Sequence, residues 1–488
     1  MIQSVNKEVD VKATNGYRSL TSPVIRNTRL VTVEPVIAGF MMADGIFYGV
    51  QSEFIQGRIA ILHNYTLPNN AENGTCSVNE SNAQSKLQSE IQAETSEWLM
   101  YFTLAYALPS IFMTVIIGAW SDSVGRRFAI LTSSAGTLIN FITWTLVAHF
   151  ELHLEILIAS SFVRGLCGAT SLFNASCFTY ICDVTTKENR TPRIIVCECV
   201  LLLSLSIGQL CGGFLVDYLD FTITFTISVC FTSMAIIYTS IPYMLRETIL
   251  LKTRFKENLT RSINGVKNVL AEKDVEYRKT FYIINFVFFI VMTFTTANSP
   301  YGLLIVHFLG EPFCFSFLLL SYYSAAMSFS PALGLVMCAL FLKRWLDDYW
   351  LLHLSMCSAM LFFYVGAAAK TTAVAFVGVG LGIFKTLFGP SCRSLVSKSS
   401  SPQEQGAVFG FLGMADALAG IASPLILNNI YSVTVYSTPT FVFWMCGSFC
   451  LLPIIAVSYL QLNNHNKKQK IFIDVNSDIT PDNPSMMN

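Results

Sequence analysis

Charged residues are scarce in this sequence: Asp, Glu, Lys and Arg together make up 13% of its 488 residues. Soluble domains usually carry about 25%, so this chain has too few charges to cover the surfaces of several soluble domains. Its 31 basic and 31 acidic residues give a formal net charge of zero, which provides no general attraction to nucleic acid. The shortage of charge indicates a protein that lies mostly within a lipid bilayer.

Several chemical signatures are also missing. No Cys-x-x-Cys pair stands outside an apolar segment, which argues against a metal site, and most of the 14 cysteines fall within apolar segments. No phosphate-binding loop and no Ser-His-Asp order stands outside these segments, and the loops are too short for a catalytic domain. We therefore expect no enzyme, no ATP-driven pump and no cofactor.

Apolar residues are abundant instead, at 53%, and the mean hydropathy is +0.53. A bilayer core needs about twenty apolar residues per helix, and twelve segments meet this length. They predict an all-α membrane protein of twelve transmembrane helices in two six-helix halves. The predicted spans are 31–55, 97–119, 128–149, 154–182, 194–217 and 221–243, then 280–306, 313–341, 349–369, 373–397, 405–429 and 437–460.

A basic connector separates the two sets of spans, with nine Lys and Arg residues within 246–279. Positive residues concentrate on the cytoplasmic side of membrane proteins. Most of the 31 Lys and Arg residues fall on the side that carries both termini, so both termini are predicted to be cytoplasmic. The predicted organisation is an N-terminal tail at 1–30, a half at 31–243, a cytoplasmic linker at 244–279, a half at 280–460 and a C-terminal tail at 461–488.

The first predicted outside loop, 56–96, supports this orientation. It carries three glycosylation sequons, at Asn64, Asn73 and Asn79. Cys76 lies in the same loop, and Cys314 lies at the outer start of the eighth span. An oxidising outer face permits a disulfide, but position alone leaves a bridge and two free thiols equally open.

The segment GAWSDSVGRR at 118–127 lies between the second and third spans. Asp122 is suited to cap the third helix, and Gly125 supplies a tight turn. The two arginines that follow can meet Asp183 at the inner end of the fourth span, or anionic lipid headgroups. Such charges can latch the cytoplasmic side in one state and release it in another; the alternative is a loop that only sets topology. The residues concerned are Gly118, Asp122, Gly125, Arg126, Arg127 and Asp183.

This segment matches G-x-x-x-D-x-x-G-R-R, the signature loop of the major facilitator superfamily. From residue 33 to about 455 the chain resembles the proton-coupled folate transporter family, solute carrier family 46. Besides the loop, the shared features are Val33-Glu34-Pro35-Val36, Arg164 with Cys167, Asp183-Val184, Arg190-Thr191, Arg193, Glu198, Arg393, and Glu404-Gln-Gly-Ala407 with Phe409.

The resemblance implies the major facilitator fold and transport of anionic organic solutes, often helped by a proton gradient; folates, muropeptides and cyclic dinucleotides are substrates in the family. It implies a proton-coupling role for Glu198, a place in the substrate and proton path for Arg393, and a disulfide between Cys76 and Cys314. The folate member has an acidic residue where this chain has Ala169 and a histidine where it has Ala297. The resemblance therefore does not by itself imply folate as the substrate or the same proton relay.

Ionisable residues at membrane depth are costly, so they are functional candidates. Lys385 and Arg393 are eight residues apart, about 80° around a continuous helix at 100° per residue, so they can face one cavity and bind a carboxylate or phosphate. The alternative is structural pairing, because buried charges are usually paired. The candidates for the substrate and proton path are Asp44, Arg164, Glu198, Lys385, Arg393 and Asp416.

The alternative partners are specific. Lys385 could neutralise Asp44 or Asp416, and Glu198 could bond to Arg190 or Arg193. These pairs would stabilise the helix bundle without binding a substrate.

These patterns favour a secondary transporter in which two halves rock around a midplane site. Its partners would be a small anionic organic solute, protons and the lipid bilayer, with no nucleic acid. Two other functions remain open: a proton-driven antiporter that exports amphipathic compounds, and a membrane receptor or scaffold that does not transport. The plasma membrane and the endosomal or lysosomal membrane both remain open, as does the oligomeric state.

Overall fold

Long apolar runs fold as helices in a bilayer because every backbone polar group must find its hydrogen bond within the segment. The computed structural model describes residues 32–63, 82–186, 189–247, 275–296, 307–308, 313, 317–400, 404–434, 438 and 440–464. Within these ranges the chain is helical, with no strand. Ten helical segments of the described residues, with each broken helix counted as one, are long and apolar enough to cross a membrane. The predicted class, an all-α membrane protein, is confirmed.

Several predictions fall outside the described residues: both tails beyond 32 and 464, most of the linker, the three sequons at Asn64, Asn73 and Asn79, and the cysteines Cys76 and Cys314. The count of twelve helices, the domain boundaries and the orientation also stay predictions.

We refer to α1–α7 as the N-terminal half. Pro35 lies in the first turn of α1, where it costs no hydrogen bond, and Glu34 there accepts a hydrogen bond from the backbone N–H of Thr32 at 2.6 Å. The helices are α1 Glu34–Leu62, α2 Asn82–Val124, α3 Arg126–Phe150, α4 Glu155–Leu166, α5 Ala169–Val184, α6 Arg190–Leu219 and α7 Phe221–Ser240.

We refer to α8–α14 as the C-terminal half. Its first helix ends in a π-helical turn, Met292–Thr296, and a 3₁₀ turn, Leu342–Arg344, precedes the third. The helices are α8 Val275–Val291, α9 Phe317–Leu340, α10 Asp348–Ala368, α11 Thr372–Leu381, α12 Phe388–Ser399, α13 Gln405–Thr434 and α14 Phe441–Phe449, with further helical turns to 464.

Two predicted spans are broken in the middle. Span 154–182 divides into α4 and α5 at Gly168, whose φ of +85° suits glycine. Span 373–397 divides into α11, a 3₁₀ turn over Gly382–Leu387, and α12. Both breaks fall at membrane depth, where interrupted helices typically line a site.

The halves meet along a few helices. The second helix, α2, packs on α13, while α6 packs on α9 and α12, and α5 packs on α13. Gly118 and Gly406 allow the backbones of α2 and α13 to approach closely, because a Cβ on Gly118 would lie 2.8 Å from the carbonyl oxygen of Gly406. The interface between the halves is therefore built from backbone contact as well as side chains.

Candidate functional site

A small central pocket lies between the two halves. Its walls come from one face of α5 and one face of α13, where the lining residues recur at helical spacing, and from α8 and α12. The lining is part apolar and part charged. It consists of Ser171, Asn174 and Ala175 of α5, Phe288 of α8, Arg393 of α12, and Phe409, Leu412, Gly413 and Asp416 of α13.

An ion pair joins the halves at this pocket. Nη1 of Arg393 donates to Oε2 of Glu198, on α6 of the other half, at 2.6 Å. The guanidinium carbon of Arg393 lies 4.1 Å from the ring centroid of Phe178 and 5.7 Å from that of Phe288. Gly389 leaves room for the pair, since a Cβ there would lie 3.2 Å from the Arg393 nitrogen. The arginine is thus held by a carboxylate and two aromatic faces.

The two arginines considered as alternative partners of Glu198 bind other groups in the structure. Arg193 pairs with Glu34 at 2.8 Å. Arg190 donates to the carbonyl oxygen of Ser397 at 2.7 Å, in the last turn of α12, where helix carbonyls lack internal partners.

A second carboxylate lies at the same pocket. Oδ2 of Asp416 accepts a hydrogen bond from the hydroxyl of Ser171 at 3.2 Å, which connects α13 to α5 across the halves. Asp416 and Arg393 line the pocket together. The structure therefore brings Glu198, Arg393 and Asp416, three of the six intramembrane candidates, to one place.

Asp44 and Arg164 form a separate pair within the N-terminal half. Nη2 of Arg164 lies 2.8 Å from Oδ1 of Asp44, and both residues are buried. The hydroxyl of Thr170 donates to Asp44 and accepts from Arg164, each at 2.9 Å. The rings of Tyr48 and Tyr106 lie 5.7 and 5.5 Å from the guanidinium carbon. Hydrogen bonds and aromatic faces therefore surround this pair.

Lys385 lies away from the central pocket. It sits in the 3₁₀ turn of the second broken span, and its ammonium group lies 3.9 Å from the ring centroid of Phe362 on α10 of the same half. The 80° angle to Arg393 assumed a continuous helix, which the 3₁₀ turn interrupts. The two aspartates considered as its alternative partners contact other groups, since Asp44 binds Arg164 and Asp416 binds Ser171.

Asp122 caps a different helix from the one expected. Its carboxylate accepts from the backbone N–H groups of Gly406 and Ala407, at 2.8 and 3.0 Å, at the start of α13. The third helix is instead capped by Glu247, which accepts from the N–H groups of Arg126 and Arg127 at 2.8 and 3.2 Å. The cap of α3 was missed because Glu247 is 121 residues away in sequence.

Arg126 is fully buried between two carboxylates. It lies 2.6 Å from Asp122 and 2.8 Å from Asp183. The contact with Asp183 is the one expected from the sequence. Arg127 differs, since it donates to the carbonyl oxygen of Thr239 at 2.9 Å, at the end of α7.

A further charged cluster was missed. Asp348, at the start of α10, lies 2.5 Å from Lys343 and 2.5 Å from Lys398 at the end of α12. Its carboxylate also accepts from Ser394 at 2.9 Å and from Thr191 of the other half at 3.3 Å. The sequence signal for this cluster is the order of charges, with Lys343 and Arg344 before Asp348. In the segment at 118–127 the order is reversed, and the aspartate comes before the arginines.

These features define a class: a multi-pass membrane protein with charged groups held between two helical halves, the architecture of a secondary transporter. The family model of the major facilitator superfamily matches residues 82–347 and 284–477. The chain belongs to the major facilitator superfamily.

Relatives and solved structures agree with this family. The chain is 28% identical to the lysosomal proton-coupled steroid conjugate and bile acid symporter SLC46A3 of Gallus gallus, over 90% of this chain and 95% of that protein. It is 26% identical to the proton-coupled folate transporter of Bos taurus, over 77% and 81%. The fold is similar to that of the human organic anion transporter MFSD10 (TETRAN), with a TM-score of 0.64 and 16% identity over 87% of this chain and 98% of that one. The resemblance to solute carrier family 46 is confirmed.

Proposed function

We propose that this chain is a proton-coupled symporter of a small organic anion, and that the central pocket binds the anion. The observation that carries the proposal is the position of Arg393, held by Glu198 across the two halves while Asp416 lines the same pocket. A guanidinium group suits the carboxylate, sulfate or phosphate of an organic anion.

The ion pair supplies a reason for coupling. While Glu198 is ionised, it competes with an incoming anion for Arg393. Protonation removes this competitor and leaves the arginine available to the anion, because a buried arginine needs a negative partner. Proton and anion therefore bind together, and both leave when the other side opens.

Contacts on the predicted cytoplasmic side supply the gate. Asp122 binds the start of α13, and Arg190 binds Ser397 at the end of α12. We assign this arrangement to the state in which the cytoplasmic side is closed. Opening that side requires these contacts to break, together with the pair of Glu198 and Arg393.

The relatives support an organic anion as cargo. One is named for steroid conjugates and bile acids and another for folate, and both are named as proton-coupled. The ring faces of Phe288 and Phe409 at the pocket suit a substrate with an apolar ring system. The chicken relative is named as lysosomal, so an endosomal or lysosomal membrane is proposed beside the plasma membrane.

The test is uptake of labelled anions into cells that carry the chain at their surface. The panel contains a steroid sulfate, a bile acid and a folate, at acidic and neutral external pH. We expect greater uptake at acidic pH, loss of uptake in Arg393→Ala, and loss of pH-driven accumulation in Glu198→Gln with exchange of bound anion retained. Arg344→Ala and Glu155→Gln are the matched controls, because both residues are exposed.

Absence of uptake for every anion, with the protein confirmed at the surface, would overturn the proposal. Export of the labelled compound against an inward proton gradient would replace it with an antiporter.

A further inference from the structure

One side chain at the central pocket has unused hydrogen-bonding capacity. Within the described part of the chain, the amide oxygen of Asn174 is buried without a hydrogen-bond partner. Asn174 lies on the pocket-facing side of α5, three residues after Ser171. An amide offers one acceptor and two donor hydrogens, and leaving it unsatisfied at membrane depth is costly.

Three other asparagines in the described helices have a partner for the amide nitrogen. Asn285 donates to the carbonyl oxygen of Phe281 at 2.9 Å, and Asn429 donates to that of Leu425 at 2.6 Å. Asn140 donates to the hydroxyl of Ser160 at 3.0 Å. A helical asparagine can thus reach a nearby partner, and Asn174 is placed differently, toward the pocket.

The neighbours of Asn174 limit what could satisfy it. Arg393 recognises a negative group, Phe288 and Phe409 offer ring faces, and Asp416 adds a carboxylate acceptor beyond its bond to Ser171. In the proposed function, the negative group of the substrate binds Arg393, and its ring system contacts Phe288 and Phe409. The amide oxygen of Asn174 remains for a neutral group that donates a hydrogen bond.

We propose that Asn174 is a specificity-determining residue that selects organic anions carrying a neutral hydroxyl or amide group beside the ring system. This rests on the proposed function only in taking an organic anion as ligand. A site that hydrogen-bonds a hydroxyl discriminates strongly against the analogue that lacks it, because its own polar group is then left unpaired. For a single such contact the discrimination is on the order of ten-fold.

The experiment measures binding to the purified full-length protein by ligand-induced thermal stabilisation. The probes are two bile acids with the same carboxylate that differ only in one ring hydroxyl, tested for several hydroxyl positions. We expect at least one pair to show about ten-fold tighter binding of the hydroxylated member. In Asn174→Leu that ratio should approach one while binding of the deoxy member is retained.

Two further variants serve as controls for the leucine substitution. Asn174→Ala removes the amide without adding branched bulk and should give the same ratio as the leucine variant. Asn429→Leu carries the same substitution at an exposed position of α13 away from the pocket and should leave the ratio unchanged.

Equal binding of both members of every pair by the wild type would overturn the inference, because water alone then satisfies the amide. A ratio unchanged in Asn174→Leu would also overturn it. These ratios do not depend on proton coupling, so transport that ignores the proton gradient would defeat the proposed function without changing them. Proton-driven uptake without selectivity would defeat only the inference.

Discussion

Two buried ion pairs of the same chemistry occupy different places in this molecule. Asp44 and Arg164 connect α1 to α4 within the N-terminal half, 2.8 Å apart. Glu198 and Arg393 connect α6 to α12 across the halves, 2.6 Å apart. The first lies among hydroxyl and aromatic groups of its own half, whereas the second borders the pocket between the halves.

The two pairs have the same charges, so their position relative to the two halves decides whether a pair serves folding or responds to movement of the halves. A pair inside one rigid half keeps its geometry when the halves move, so it contributes mainly to folding. A pair across the halves has to break whenever they part, and it can therefore respond to a proton or an anion. Three experiments test this comparison.

Asp44→Leu should have the largest effect on stability, because it leaves Arg164 buried without its carboxylate. Breaking a buried pair costs about 3–5 kcal/mol, and we expect a correspondingly lower melting temperature of the purified protein. The double variant Asp44→Leu/Arg164→Met should recover most of the loss, since no charge is then left unpaired.

Glu198→Gln should be milder, because Arg393 still shares the pocket with a second carboxylate, that of Asp416. Equal losses in Asp44→Leu and Glu198→Gln would remove the distinction between the pairs.

Gly406→Ala should weaken the contact between the halves without disturbing either half. A Cβ at position 406 would collide with the carbonyl oxygen of Gly118 and approach Asp122 to 2.7 Å. Overpacking of this kind costs about 1–3 kcal/mol, and we expect faster hydrogen exchange at the facing ends of α2 and α13. Gly420→Ala is the matched control on the same helix, since a Cβ there meets nothing within 4 Å. Similar exchange in the two variants would contradict a tight interface at α2 and α13.

Glu247→Gln should have the smallest effect, and Asp122→Asn a larger one in a different place. Glu247→Gln weakens a helix cap worth about 1 kcal/mol, whereas Asp122→Asn also removes one of the two carboxylates that pair with buried Arg126. Asp122→Asn should raise hydrogen exchange in the first turn of α13, in the other half, whereas Glu247→Gln should raise it in the first turn of α3. If Asp122→Asn left exchange in the first turn of α13 unchanged, the assignment of its carboxylate to the contact between the halves would be wrong.

Much of the fold could be predicted from hydropathy alone. Apolar runs of membrane length correctly indicated helices and the class of protein, because a bilayer permits few alternatives. The breaks at Gly168 and over Gly382–Leu387 could not be predicted in this way, because hydropathy stays high across them. Lys385 lies in the break of the second span, beside Phe362, and is not among the residues that line the central pocket.

The candidate site was predictable as a set of residues but only partly as a set of partners. Membrane depth was enough to select Glu198, Arg393 and Asp416, since ionisable groups there are costly. Asn174 carries no charge and stands in an ordinary apolar helix, so no sequence signal separated it from other asparagines. Its lack of a local partner is visible only when α5, α12 and α13 are assembled.

The sequence by itself determined that this protein is helical, lies in a membrane and belongs with transporters that carry the GAWSDSVGRR loop, because composition and local motifs act over short distances along the chain. The tertiary structure decided most of the charge pairs, although the pair of Arg126 and Asp183 was expected from the sequence. Glu198 and Arg393 are 195 residues apart, and Asp122 and Gly406 are 284 apart. Contacts over such separations depend on how whole helices pack and turn, and a rotation of a single helix by one residue would redirect every side chain on it.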